Sequence, residues 1–211
     1  PGAFLPAMAE AGLMPDLDRW VLRAACRTIA LRRAAGAPWP TVAINVSAEG
    51  FQLSYFPDWV AEALAESRLP AHALELEITE ATALRDADSA KSTLQRLKQL
   101  GVSLSLDDFG VGYSSMGQLK RLAVDRIKID RSFVQGALLD RKDDAIVTSM
   151  VGLGASLGLQ VVAEGIETAA QLAHFRKLGV DHVQGFLIGR PMSVEALSER
   201  LRELPPALAA G

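Results

Sequence analysis

Six short segments in which aliphatic and polar residues alternate recur along the chain, each separated from the next by a stretch long enough for a helix. They are Val42–Ser47, Leu74–Glu80, Ser103–Asp107, Arg126–Asp130, Gln160–Gly165 and His182–Phe186. Alternation with period two marks half-buried strands, and connections of this length join parallel neighbours by crossovers. The aliphatics share one face: Val42, Ile44 and Val46 in the first segment, Leu74, Leu76 and Ile78 in the second, Leu104 and Leu106 in the third. The other face carries Asn45, Glu77, Asp107, Lys128, Glu164 and Gln184, each near the C-terminal end of its strand. In a β/α barrel that face and that end meet at the mouth of the lumen, where barrel enzymes build their active sites. An open doubly wound sheet would scatter them over two faces. The expected fold class is therefore α/β and TIM-barrel-like.

The stretches between the strands read as helices. Leu13-Met-Pro-Asp16 is expected to turn the chain and supply an N-cap at Asp16. A long helix then carries Leu17, Trp20, Val21, Ala24, Thr28 and Ile29 at helical spacing and stops at Gly36. Further helices are expected over Pro57–Arg68, Ala90–Leu100, Ser114–Leu119, Arg141–Leu157, Thr168–Leu178 and Val194–Leu204. Asp107 and Asp108, followed by Gly110 and Gly112, mark the exit of the third strand into a tight polar loop. Residues 145–163 form a charge-free run, long enough to raise the question of a membrane span. Its glycines, serines and Gln160 read better as helix, turn and strand.

A chain of 211 residues, 49% of them apolar, can bury one sizeable core, so residues 1–204 are expected to form a single domain with a short tail over 205–211. A net charge of -3 provides no positive field for DNA, and no membrane contact is expected of this segment. Cys26 is the only cysteine, sits in an apolar helical stretch and reads as core packing. His72, His174 and His182 lack ligand spacing and read as surface or packing residues. A start at Pro1 reads as part of a longer protein.

Several carboxylates at one mouth repel one another, so they must take up protons or share cations. Carboxylate and carboxamide oxygens without cysteine or histidine select magnesium or manganese over structural zinc. Two such ions can activate water and steady both oxygens of a phosphoryl displacement. The pattern points to hydrolysis of a phosphodiester.

The spaced blocks Asn45-Val-Ser47, Glu77-Ile-Thr-Glu80, Asp107-Asp-Phe-Gly-Val-Gly112 with Tyr113-Ser-Ser115, Lys128-Ile-Asp130, Ala163-Glu-Gly-Ile-Glu167 and Gln184-Gly-Phe186 with Pro191 resemble the EAL domain family. Phe4-Leu-Pro6 and Glu10-Ala-Gly-Leu13 extend the resemblance to the start of the chain. The resemblance implies a modified barrel and hydrolysis of cyclic di-GMP to linear pGpG in the presence of two Mg2+ or Mn2+ ions. It implies Asn45, Glu77, Asp107, Asp108 and Glu164 as metal ligands. Lys128, Glu164, Gln184 and Glu80 would form the catalytic group, with Lys128 orienting or helping to deprotonate the attacking water, Gln184 holding water or metal and Glu80 anchoring the loop after Asp108. Glu167 and Asp130 would support them. It further implies a homodimer, fusion to sensory or GGDEF-type domains, and a cytoplasmic location for this segment, with any membrane anchor elsewhere in the parent protein. The family's Glu-Ala-Leu motif, whose glutamate is a metal ligand, would stand before Pro1, so this segment is expected to lack one ligand of the set. The chain is therefore expected to be a barrel truncated at its N-terminus, poorly stable or self-associating along the open seam. A receptor that binds cyclic di-GMP without cleaving it is the alternative expectation, and a ligand-free dimerisation domain the third. Retention of the carboxylates favours the enzyme.

Overall fold

The alternating segments become strands and the stretches between them helices. The computed structural model describes residues 2–36, 39–112 and 116–203, except the side chains of residues 87, 88, 116 and 118. Tyr113, Ser114, Ser115, Leu204 and the expected tail over 205–211 lie outside the described residues. In chain order the helices and strands are α1 (Leu5–Glu10), α2 (Met14–Ala34), β1 (Val42–Asn45), α3 (Ala48–Phe51), α4 (Phe56–Ser67), β2 (Leu74–Thr79), α5 (Glu80–Arg85), α6 (Ala87–Leu100), β3 (Ser103–Phe109), α7 (Met116–Leu119), β4 (Arg126–Ile129), α8 (Arg131–Gly136), α9 (Arg141–Leu157), β5 (Gln160–Ala163), α10 (Ala169–Leu178), β6 (His182–Val183) and α11 (Val194–Glu203). The chain divides into two compact units, Pro1–Ile78 with Asp88–Ser103 and Met192–Gly211, and Thr79–Ala87 with Leu104–Pro191.

In the first unit β1 and β2 pair in parallel, with Asn45 opposite Glu77. Helix α2 packs against α3, α4 and β1. Its buried stripe is Asp18, Leu22, Cys26 and Ile29, spaced four, four and three residues apart. The sequence expectation put Trp20 on the inner face, yet Trp20 is 67% exposed. The stripe is rotated from the expected one because it starts on a carboxylate, to which apolar periodicity gives no weight. Helix α2 also starts earlier than expected. Pro15 lies in its first turn and Leu13 holds the N-cap position without a side-chain bond. Asp16 is therefore not the N-cap; its charge falls in the first turn, facing the positive end of the helix dipole.

In the second unit β3, β4, β5 and β6 pair in parallel in that order. Leu104, Leu106, Ile127 and Ile129 are fully buried, each contributing roughly 1.5–3 kcal/mol of apolar transfer. The charge-free run resolves into α9, a left-handed turn at Gly158 and β5, and no described helix is long and apolar enough to cross a membrane. Strand β3 does not leave the sheet at Asp107 as the sequence suggested. It continues to Phe109 through a register shift between Leu106 and Phe109, with Asp108 at φ 53°. An extra residue in one strand turns its neighbours' side chains, and adjacent aspartates become possible inside a strand.

Candidate active site

A polar side chain stands at or just beyond the C-terminal end of each strand of the second unit, and three of these meet. Lys128, 3% exposed, places Nζ 3.1 Å from Asp107 Oδ1 and 2.6 Å from Glu164 Oε1. Lys128 stands on β4, Asp107 on β3, and Glu164 one residue beyond β5, where its backbone N–H donates to the Ile129 carbonyl at 3.2 Å. A buried ammonium is costly unless it is paired, and here two carboxylates from flanking strands pair it.

Two of the carboxylates, Glu164 and Asp108, hold protons more tightly than usual, through burial first and neighbouring carboxylates second. Burial pushes the Glu164 carboxyl up, Lys128 pulls it down, and Asp107 and Asp108 push it up again. Asp108 is likewise raised by burial, then by Asp107 and Asp130, against Lys128. Its backbone N–H donates to Asp107 Oδ1 at 3.1 Å. The cluster holds an excess of negative charge. Among the described residues no three His, Cys, Asp or Glu side chains stand close enough to hold an ion as they are. The donor chemistry nevertheless fits a hard divalent cation: carboxylate oxygens of raised proton affinity, whose mutual repulsion a cation would relieve.

Glu80 lies where the loop after β3 needs it, though not on a strand. Thr79 caps α5, accepting from the Thr82 N–H, and Glu80 is the first residue of that helix. It is 3% exposed, and its Oε2 accepts from the Gly110 N–H at 2.8 Å. Gly110 takes φ 98°, a conformation that L side chains rarely adopt, so the loop needs a glycine there. Asp130 also proves to be a cap, its Oδ1 accepting from the Ser132 N–H at 2.9 Å at the start of α8. Glu167 pairs with Arg131 at 2.7 Å, and His174 Nε2 lies 2.8 Å from Asp144 Oδ1.

Gln184 follows β6, which is shorter than expected and ends at Val183. Its N–H donates to Ala163 O at 2.9 Å and its carbonyl accepts from the Ile166 N–H at 3.0 Å. The segments behind Glu164 and Gln184 are thus tied together. The tie requires Gly185, since a Cβ there would stand 2.2 Å from Ile166 O and 2.3 Å from Ile166 N. Neither backbone atom can swing aside. Gly185→Ala is expected to lower stability by about 1–3 kcal/mol, read from the denaturant midpoint; an unshifted midpoint would mean the two segments are not held this closely.

In the first unit Asn45 and Glu77 face each other across β1 and β2. Glu77 is 8% exposed, whereas Asn45 is open to solvent. The Val46 N–H donates to the Glu77 carbonyl at 2.9 Å. Beyond it lies a residue that sequence reasoning missed, Asp18, which accepts hydrogen bonds from Ser47. Its signal was available: a carboxylate four residues before Leu22 and eight before Cys26, on the buried stripe of α2.

Parallel strands joined by helices, with acidic, amide and lysine side chains at their C-terminal ends, define a β/α enzyme-like fold of the barrel class. The EAL domain model matches residues 1–191, and the chain belongs to that family. It is 46% identical over 198 residues to the bifunctional diguanylate cyclase/cyclic di-GMP phosphodiesterase MucR of Pseudomonas aeruginosa, covering 93% of this chain and 29% of the relative. It is 41% identical over 202 residues to the cyclic di-GMP phosphodiesterase NbdA of the same organism, covering 96% of this chain and 26% of the relative. The chain thus spans less than a third of the length of either relative. The solved PaMucR phosphodiesterase in complex with c-di-GMP superimposes with a TM-score of 0.90 at 45% identity, covering 93% of this chain and 80% of that one.

Proposed function

We propose that this chain is the catalytic domain of a metal-dependent phosphodiesterase that hydrolyses cyclic di-GMP to linear pGpG. The observation that carries the reading is the buried Lys128 ammonium between Asp107 and Glu164 at the ends of three parallel strands. The relatives' activities and the match to a c-di-GMP complex support the choice of substrate. The family match runs through both compact units, so residues 1–204 are proposed to work as one domain.

Asn45, Glu77, Asp107, Asp108 and Glu164 are the proposed ligands for two Mg2+ or Mn2+ ions. Such ions supply a water acidified to near neutrality and a positive charge for the phosphoryl oxygens. The residues' own contributions follow from their surroundings. Lys128 Nζ holds Asp107 and Glu164 in fixed orientation and is the group proposed to orient the attacking water. Glu164, the second carboxylate on Lys128 Nζ, is proposed both as a ligand and as a member of the catalytic group. Gln184 offers an amide at the same strand ends, and Glu80 fixes the backbone after Asp108 by accepting from Gly110. Asp130 and Glu167 act through α8, the one as its cap and the other through Arg131. A cytoplasmic location, a homodimer and fusion to GGDEF-type or sensory domains complete the proposal.

The test is incubation of the protein carrying this chain with cyclic di-GMP and Mg2+ or Mn2+, with and without chelator, followed by chromatography for pGpG. Metal-dependent appearance of pGpG is expected. Binding of cyclic di-GMP without cleavage would replace the enzyme reading with a receptor.

A further inference from the structure

Asp18 is a buried carboxylate of the first unit with no part in the proposed reaction. It lies on the inner stripe of α2, 7% exposed, and both its oxygens are directed at the turn that follows β1. The Ser47 N–H donates to Oδ1 and to Oδ2, each at 3.2 Å, and the Ser47 hydroxyl donates to Oδ2 at 2.5 Å. Ser47 Oγ accepts in turn from the Gly50 N–H at 2.9 Å, capping α3. Gly50 makes room for the carboxylate, because a Cβ at that position would stand 2.1 Å from Oδ2. Ser47 is two residues from Asn45. On the other side of the same short stretch the Val46 N–H is fixed to the Glu77 carbonyl. The backbone that carries the solvent-facing Asn45 amide is therefore clamped by the β1–β2 ladder and by Asp18. A carboxylate is costly to bury, and its two acceptor oxygens satisfy the backbone and hydroxyl donors of one residue at once, which no apolar side chain could do.

We infer that Asp18 is a positioning residue: by holding Ser47 it fixes the direction in which Asn45 presents its carboxamide oxygen to a divalent cation. The inference rests on the metal-dependent reaction proposed above, and its test keeps the two apart. In metal-free protein, Asp18→Ala is expected to speed amide hydrogen exchange at Ser47 and Gly50 on the order of 10-fold, with Asp18→Asn, which keeps one acceptor oxygen, close to the parent. In Mn2+ titrations, Asp18→Ala is expected to weaken binding on the order of 10-fold, as loss of a partner that orients a ligand does, and Asp18→Asn to recover most of it. In an Asn45→Ala background the same substitution is expected to cost nothing further. Should Asp18→Ala not fold, Ser47→Ala, which deletes only the hydroxyl link, carries the same comparisons. Unchanged exchange at Ser47 and Gly50, or a loss of Mn2+ affinity as large in the Asn45→Ala background as in the parent, would overturn the positioning role alone. Absence of Mn2+ binding by the unsubstituted protein would overturn the proposed reaction and the inference together.

Discussion

Asp107→Ala is expected to reduce metal-dependent cleavage of cyclic di-GMP more than 100-fold, beyond the roughly 10–100-fold loss typical of residues that only orient a ligand. Asp107 is a proposed ligand, and it is also one of the two carboxylates that hold Lys128. Its removal takes one carboxylate partner from the buried ammonium and frees the Asp108 N–H, which donates to Asp107 Oδ1. Three functions of the site depend on one side chain. Turnover of cyclic di-GMP to pGpG at the parental rate in this variant would remove the proposed site from consideration, whatever the family match.

Lys128→Met is expected to be the most destabilising of the site substitutions in metal-free protein, by about 3 kcal/mol near pH 8, because breaking a buried ion pair from one side strands the partner charges. The deficit should depend on pH in a defined direction. Burial already raises the Glu164 carboxyl and Lys128 opposes that rise, so the variant's Glu164 titrates higher still. A carboxyl whose native value lies above its unfolded value binds more protons when folded, and stability then falls as pH rises through the window between the two values. Below that window the protonated Glu164 needs no cation. The gap between variant and parent should therefore narrow as the pH is lowered toward the ordinary glutamate range and widen above it. Denaturant titrations across that range measure it directly, and a gap independent of pH would mean that Lys128 stabilises by packing and not by charge.

Much of the architecture was legible because it is local. The split of the charge-free run into helix, turn and strand followed from its glycines and Gln160, and α9 ends at Leu157 before the left-handed Gly158 as its pattern required. The capping box at Thr168 and Gln171 opens α10 where the sequence placed that helix. Short elements escaped: α3, α5 and α8 have only four to six residues, too few for a helical period to register. The consequence was functional, since Glu80 was read as the end of a strand and is the first residue of a helix. Trp20 and Asp18 were misjudged for the opposite reason. Burial on α2 is decided by which face meets β1 and α4, and that face accepts a carboxylate once Ser47 supplies its hydrogen bonds.

The residues by themselves determined that strands alternate with helices and that one polar side chain stands near the end of each strand. Both follow from backbone geometry, in which successive side chains point to opposite faces over a few residues. Only the tertiary structure decided that Lys128 bridges Asp107 and Glu164, that β3 bulges to carry Asp107 and Asp108 together, and that Asp18 clamps the turn after Asn45. Those contacts join residues far apart in the chain, and their distances are set by strand register and helix docking, which depend on packing summed over the whole fold.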